Sequence, residues 1–320
     1  LDAMLNIPRL HFSYVLQQYI ILELIKNSFQ ESIDSIQRWT GVTLTKKEMK
    51  DIVYDSALDF KEFYNVTCLK EQEKAQNLPL LILTSDGKGV MMRKEDLRKN
   101  TQQKSQQDAA RKGQKNMHSK RRHRKRMATV ASVYEIDRYI RTPSEFAATL
   151  FPDLRKDGKA VQRPIPYAKR LWASLEDSPE VVISEVFREA LQRDPERNKE
   201  WVVCVDGDLH QIAHFLKLSE EFEVSITIIC DIIHVLEYLW KAGKVLQDEP
   251  ALDVWMYQKL HALLAGKSRS IAAGLRRSAT LRKFTKTIRE PVDNCARYLT
   301  NHAPYLCYQT YLEKGYPIAT

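Results

Sequence analysis

Glycine is scarce in this 320-residue chain, at ten residues. That scarcity argues against Gly-rich phosphate loops and for a helix-rich fold. Cysteine is scarce as well, and the five present (Cys68, Cys204, Cys230, Cys295 and Cys307) form no C-x-x-C pair. Scattered and odd in number, they exclude a disulfide framework, read as small core residues, and point to a reducing cytoplasm. A zinc site on Cys295, His302 and Cys307 is rejected because its spacing fits no standard pattern. No run reaches the ~18–20 uncharged apolar residues of a membrane span. The nearest, "VSITIICDIIHVLEYLW", is broken by Asp231, His234 and Glu237. The first residues show no basic segment followed by an apolar core, so no secretory leader is expected. With 43% hydrophobic and 28% charged residues, the chain reads as a globular protein of about two domains.

Positive charge, by contrast, is abundant and localised. The net charge is +9, and "RKGQKNMHSKRRHRKR", residues 111–126, carries nine cations and no acid. These are Arg111, Lys112, Lys115, Lys120, Arg121, Arg122, Arg124, Lys125 and Arg126. They close a polar, Gln-rich insertion over about 98–126 that lies between strand-like segments. Such a cluster suits phosphate binding with counterion release. An acidic protein partner, a membrane surface or a merely solvated face would use the same charge.

Residues 1–75 read as helices from apolar spacing in "YVLQQYIILELI" and "FQESIDSIQRW". A turn at Gly41 precedes a helix opened by the capping box Thr45-x-x-Glu48. The pair resembles a helix-turn-helix, which an ordinary αα-hairpin also matches. Residues 78–93, "LPLLILTSD" returning through "GKGVMMR", read as a hairpin, and 127–136 as a further strand. A helix follows Ser178-Pro179-Glu180, with Val182, Ile183, Val186, Phe187, Ala190 and Leu191 on its apolar face. Then come the strand "EWVVCV", a helix, the strand "VSITIIC" and a helix from Asp231, with helices again from about 248 to 312. This order predicts an α/β fold with a mixed sheet, an antiparallel hairpin joined to parallel strands.

Two apolar strand segments stop on an acid, Asp86 and Asp206. If those strands are parallel neighbours, about 4.8 Å apart, the two carboxylates share one site. Carboxylates that close call for a cation, and oxygen donors suit Mg²⁺ or Mn²⁺. Beside a basic segment, that set predicts metal-assisted phosphodiester chemistry. Structural roles compete: Asp86-Gly87 as a hairpin turn, Asp206-Gly207-Asp208 as a strand-to-helix turn, and Asp231 as a helix cap with a structural His234. No P-loop, no His-Glu-x-x-His zinc motif and no Gly-x-Ser-x-Gly elbow is present, although His210 and His214 share a helix face.

Five runs in order, "LTSDGKGVMMR", "RKRMATVASVYEIDRYIRT", "ALQRDPERNKEWVVCVDGDLHQI", "CDIIHVLEYLWKAG" and "YLEKGYPIAT", resemble a bacterial insertion-sequence transposase of the ISKra type. "IPRLHFSYVLQQ" and "TGVTLTKKEMKDIV" are similar to the same family, so the resemblance spans nearly the whole chain. It implies a DDE enzyme, similar to Mutator-like transposases, with an RNase H-like core. It divides the chain into a DNA-binding helical region (1–75), the core with its basic insertion (76–247) and a helical insertion (248–320). Asp86 falls on the first catalytic acid and Asp206 on the second, both as metal ligands, with Asp231 and His234 as a supporting acid-x-x-His element. The third acid is expected beyond "GYPIAT", so a two-metal Mg²⁺ or Mn²⁺ site needs that acid to be supplied. Double-stranded DNA is the implied partner, no membrane is involved, and a homodimer or higher assembly on DNA is expected. The implied location is the bacterial cytoplasm, associated with the nucleoid. A DNA-binding remnant that has lost cleavage is the alternative.

Overall fold

The structure, a computed structural model, describes residues 8, 10–60, 62–64, 78–93, 97, 99, 102–103, 125–151 and 163–319. The chain forms two compact units, residues 1–75 and 76–320. In the first, α1 (Tyr14–Lys26), α2 (Phe29–Thr40) and α3 (Lys46–Ser56) pack around Ile20, Ile33, Ile36, Met49 and Ile52. Ser28 with Glu31, and Thr45 with Glu48, form capping boxes that satisfy the first amides of α2 and α3. Gly41 ends α2 with φ of +73°, a left-handed cap that any side chain would strain. Two helices joined through Gly41 are therefore present as α2 and α3, an outline that fits a helix-turn-helix and an ordinary αα-hairpin alike.

The second unit is built on a five-stranded sheet. Its strands are β1 (Leu80–Met91), β2 (Lys125–Ile136), β3 (Tyr167–Ser174), β4 (Glu200–Val205) and β5 (Ile226–Cys230). Their spatial order is β3-β2-β1-β4-β5. β2 is antiparallel to both β1 and β3, whereas β1–β4 and β4–β5 are parallel. The fold is thus α/β with a mixed, open sheet. Leu80–Leu83 are fully buried in an unbroken apolar run, as a strand covered on both faces must be.

Two expectations are corrected here. Residues 78–93 are not a hairpin: β1 runs straight through Asp86-Gly87 to Met91, and its antiparallel partner is β2, more than thirty residues on. Asp86 pairs with Val130 in mid-ladder, so it is not a turn residue. Pairing across this register supplies backbone partners that an Asp-Gly turn would have to forgo. Strand β3 was also missed. It is an edge strand of alternating half-buried and exposed residues, without the apolar run that marks the central strands.

The helices of this unit are α4 (Pro143–Leu150), α5 (Pro179–Arg193), α6 (Leu209–Glu221), α7 (Ile232–Leu246), α8 (Glu249–Leu264), α9 (Ser268–Leu281), α10 (Lys286–Asn301) and α11 (Tyr308–Glu313). α5 begins after Ser178 as expected, and Val182, Ile183, Val186, Phe187 and Ala190 are buried. Phe187 meets Trp201 of β4 at 5.3 Å between ring centroids. That contact assigns α5 to the face carrying Trp201, Val203 and Val205. After α11, Tyr316–Ile318 crosses the opposite face: Tyr316 bonds Glu200, Cys204 Sγ donates to Pro317 O, and Ile232 N donates to Ile318 O. Among the described residues no helix is long and apolar enough to cross a membrane.

Candidate active site

The ladder between β1 and β4 pairs Thr84 with Cys204 and Ser85 with Val205. One residue further on, Asp86 stands level with Asp206, on neighbouring strands about 4.8 Å apart. Both acids are half-buried. Strand alternation puts Asp86 on the same face as Ile82 and Thr84. Immediately beneath it, Thr84 Oγ1 and Ser132 Oγ lie 2.7 Å apart, and Ser132 N donates to Thr84 Oγ1 at 3.1 Å. This cross-strand link stiffens β1 just before the acid. Among the described residues the Asp86 carboxylate accepts no hydrogen bond and forms no ion pair, so it is available.

Asp206 is held differently. One of its carboxylate oxygens accepts the Asp208 amide at 2.9 Å, and Asp208 in turn caps α6 through the amides of His210 and Gln211. Its backbone is pinned from the far side by α10. Tyr298 Oη donates to Asp206 O at 2.7 Å, and His302 Nε2 bonds Gly207 O at 2.6 Å. Tyr298 is clamped between Tyr238 and His302, with ring centroids 4.3 and 4.1 Å away. Gly207 has φ of +97°, and a Cβ there would sit 2.5 Å from the Tyr298 hydroxyl. The Asp-Gly pair is therefore a close-approach site as well as a strand-to-helix turn.

Asp231 directly follows β5, the strand beyond β4. It is buried, its amide donates to Val205 O at 2.8 Å, and its carboxylate caps α7 through Ile233 N at 2.7 Å. His234, one turn later in α7, is half-buried. On α11, Tyr308 Oη donates to Cys230 O at 2.7 Å, so a second buried tyrosine fixes the end of β5. Burial pushes the Cys230 thiol up to about 12, opposed by the Tyr298 hydroxyl and reinforced by Asp206 and Asp231. The thiol is neutral at pH 7, which leaves carboxylates as the anionic groups here.

The structure thus brings Asp86, Asp206 and Asp231 to one end of the sheet. Among the described residues no group of three His, Cys, Asp or Glu side chains converges closely enough to hold a metal ion. Of the basic run, Arg111, Lys112, Lys115, Lys120, Arg121, Arg122 and Arg124 lie outside the described residues. Lys125 and Arg126 belong to β2, not to the insertion. Arg126 is paired with Glu176 at 3.1 Å, whereas Lys125 is exposed. His214 bonds Ser184 of α5 and serves packing. No protein-family model and no curated protein matches the chain.

Tyr298 and His302 were not visible as site residues in the sequence, because the hydroxyl acts 92 positions away on a backbone carbonyl. Tyr298→Phe removes only that hydroxyl and keeps the ring stack. It is expected to cost about 1–2 kcal/mol and to raise amide exchange at residues 206–208, read by hydrogen-exchange mass spectrometry against urea unfolding.

Proposed function

We propose that this chain is a DDE-type DNA transposase, resembling bacterial insertion-sequence transposases of the ISKra type, with an RNase H-like core. The observation that carries the reading is Asp86 standing level with Asp206 on adjacent parallel strands. The resemblance expects acids on the first strand, at the end of the fourth and after the fifth. Asp86, Asp206 and Asp231 occupy β1, the end of β4 and the end of β5 in that order.

The reaction is cleavage at an insertion-sequence end followed by strand transfer to target DNA. Asp86 and Asp206 would hold Mg²⁺ or Mn²⁺, and the donor set fits. Both are hard oxygen donors, the Asp86 carboxylate has no partner among the described residues, and Asp206 has one oxygen committed to Asp208. Such ions keep several waters and accept phosphate oxygens, so two protein ligands leave room for DNA. A bound ion supplies charge neutralisation on the phosphodiester and activation of the attacking hydroxyl. A two-metal arrangement follows when a third acid is supplied.

The chain's own residues do the positioning. β1 presents Asp86 from mid-ladder, while the Tyr298–His302 clamp fixes the Asp206 backbone. Asp231 has a supporting role, fixing the start of α7 and with it His234. The cations from Arg111 to Lys125 would hold duplex phosphates without reading sequence. The enzyme would act on double-stranded DNA in the bacterial cytoplasm, as a homodimer or larger assembly.

A second reading, DNA binding without cleavage, is favoured by the absence among the described residues of a three-ligand group. A plasmid-nicking assay with Mn²⁺ separates the two. The transposase reading expects supercoiled plasmid to be nicked, with loss on the order of 10²–10³-fold in Asp86→Asn and in Asp206→Asn. Retained plasmid without nicking supports the second reading. Nicking indifferent to both substitutions rejects this site altogether.

A further inference from the structure

Residues 254–289 form the longest acid-free stretch of the chain, 36 residues with nine Lys or Arg. The chain as a whole averages about one acid every eight residues. The stretch covers most of α8, all of α9 and the start of α10. Three of its cations are engaged within the fold. Lys259 lies over the Trp255 ring, Arg282 Nη1 donates to Leu246 O at 2.6 Å, and Arg289 pairs with Asp293 at 2.9 Å. The other six, Lys267, Arg269, Arg276, Arg277, Lys283 and Lys286, are exposed, and none forms an ion pair among the described residues.

Their arrangement is ordered by the helix. Arg269 and Arg276 are seven residues apart and line one edge of α9. Beside them Ser270, Ala273, Gly274 and Arg277 recur at helical spacing and are all exposed. Nothing lies within 4 Å of a Cβ built on Gly274, so the middle of this face is low and open. A phosphate chain can approach the helix there while the arginines reach it from the sides. Neither α9 nor α10 has a side-chain cap bond or an acid in its first turn. Their free amides and positive dipole ends therefore add to the field of the side chains. By contrast α2, α3 and α4 open on capping boxes closed by glutamates.

α9 and α10 are joined by residues 282–285 and pack as a helical hairpin. The end of α9 that carries Arg269, with Lys267 at its N-cap, is thus the end at which α10 carries Tyr298, with His302 at its C-cap. From there the cations run the length of α9, about 21 Å for fourteen residues, to Lys283 and Lys286.

We propose that this face of α9, extended by the start of α10, is a second nucleic-acid surface that holds the phosphate backbone of duplex DNA. It is separate in sequence from the basic run at 111–126 and leads away from the Asp206 end of the fold. The proposal rests on the reading that DNA is the partner, but not on metal binding or cleavage.

The test is fluorescence anisotropy on the full chain with a random-sequence duplex, in EDTA, across a salt series. Arg269→Gln, Arg276→Gln and Arg277→Gln combined should weaken binding at least about tenfold and reduce the salt slope by about 2.7. The matching triple lysine variant should restore most of the affinity, and the melting temperature should be unchanged. A triple glutamine variant with wild-type affinity and slope overturns the surface. Duplex binding would then be left to residues 111–126, and the nicking result would stand on its own. Absence of wild-type duplex binding also overturns it. So does equal or tighter arginine-dependent binding to phosphatidylserine vesicles, which would assign the face to a membrane.

Discussion

Gly207→Ala is expected to lower unfolding free energy by about 3 kcal/mol and to release the loop that carries Asp206. The first part is local backbone strain: φ of +97° costs an L-residue about 1–2 kcal/mol. The rest comes from Tyr298, whose hydroxyl would lie 2.5 Å from the new methyl group. The ring is held between Tyr238 and His302, so it cannot yield without breaking a stack worth about 0.5–1.5 kcal/mol. Moving it also breaks the Tyr298 bond to Asp206 O, worth about 1 kcal/mol. Urea unfolding measures the total, and exchange at residues 206–208 shows where it falls. Combining Gly207→Ala with Tyr298→Ala should cost less than the sum of the two single changes, since the second makes room for the methyl group. Full additivity would mean that the strain, and not the contact, dominates.

A comparable loss is expected at the other end of β4. Asp194 is buried, and its carboxylate accepts from Asn198 N at 2.9 Å, Lys199 N at 3.0 Å and Trp201 Nε1 at 2.8 Å. One side chain thus closes the turn from α5 and fixes the indole that anchors β4 against Phe187. Asp194→Ala orphans all three donors, and the indole N–H has no route to solvent because Trp201 is 1% exposed. With about 1–3 kcal/mol for each buried orphan donor, the expected destabilisation is about 3–5 kcal/mol. Asp194→Asn keeps an acceptor oxygen and should recover about half of it. Thermal and urea unfolding of the two variants side by side give the comparison.

Legibility in the sequence followed burial and local chemistry. β4 and β5 could be read because both are short apolar runs covered on both faces. The capping box at Thr45 and the Ser178-Pro179-Glu180 start signal placed helix starts correctly, although Ser178 makes no side-chain cap bond. Asp86 was legible as an acid after an apolar run, but its setting was not. Asp-Gly chemistry favours a turn, and only pairing with β2 keeps the chain extended there. β3 left little trace because Arg170 takes an inward position and Leu171 an outward one, so burial alternates along the strand where hydropathy does not. The clamp on Asp206 was hidden because hydroxyl-to-carbonyl bonds across some ninety positions have no local pattern. The cations of α9 were legible by charge alone, being acid-free over 36 residues. Their separation into cations engaged within the fold and cations without an ion pair among the described residues required the helix packing.

Calorimetric titration with Mn²⁺ tests whether Asp86 and Asp206 share one divalent cation, as we propose, without any knowledge of the DNA substrate. The wild-type chain is expected to bind, with Asp86→Asn and Asp206→Asn each abolishing the binding heat and leaving the melting temperature of the ion-free protein unchanged. Binding that survives both substitutions, or no binding by the wild type, would contradict the shared site and leave Asp86 as a structural residue of β1.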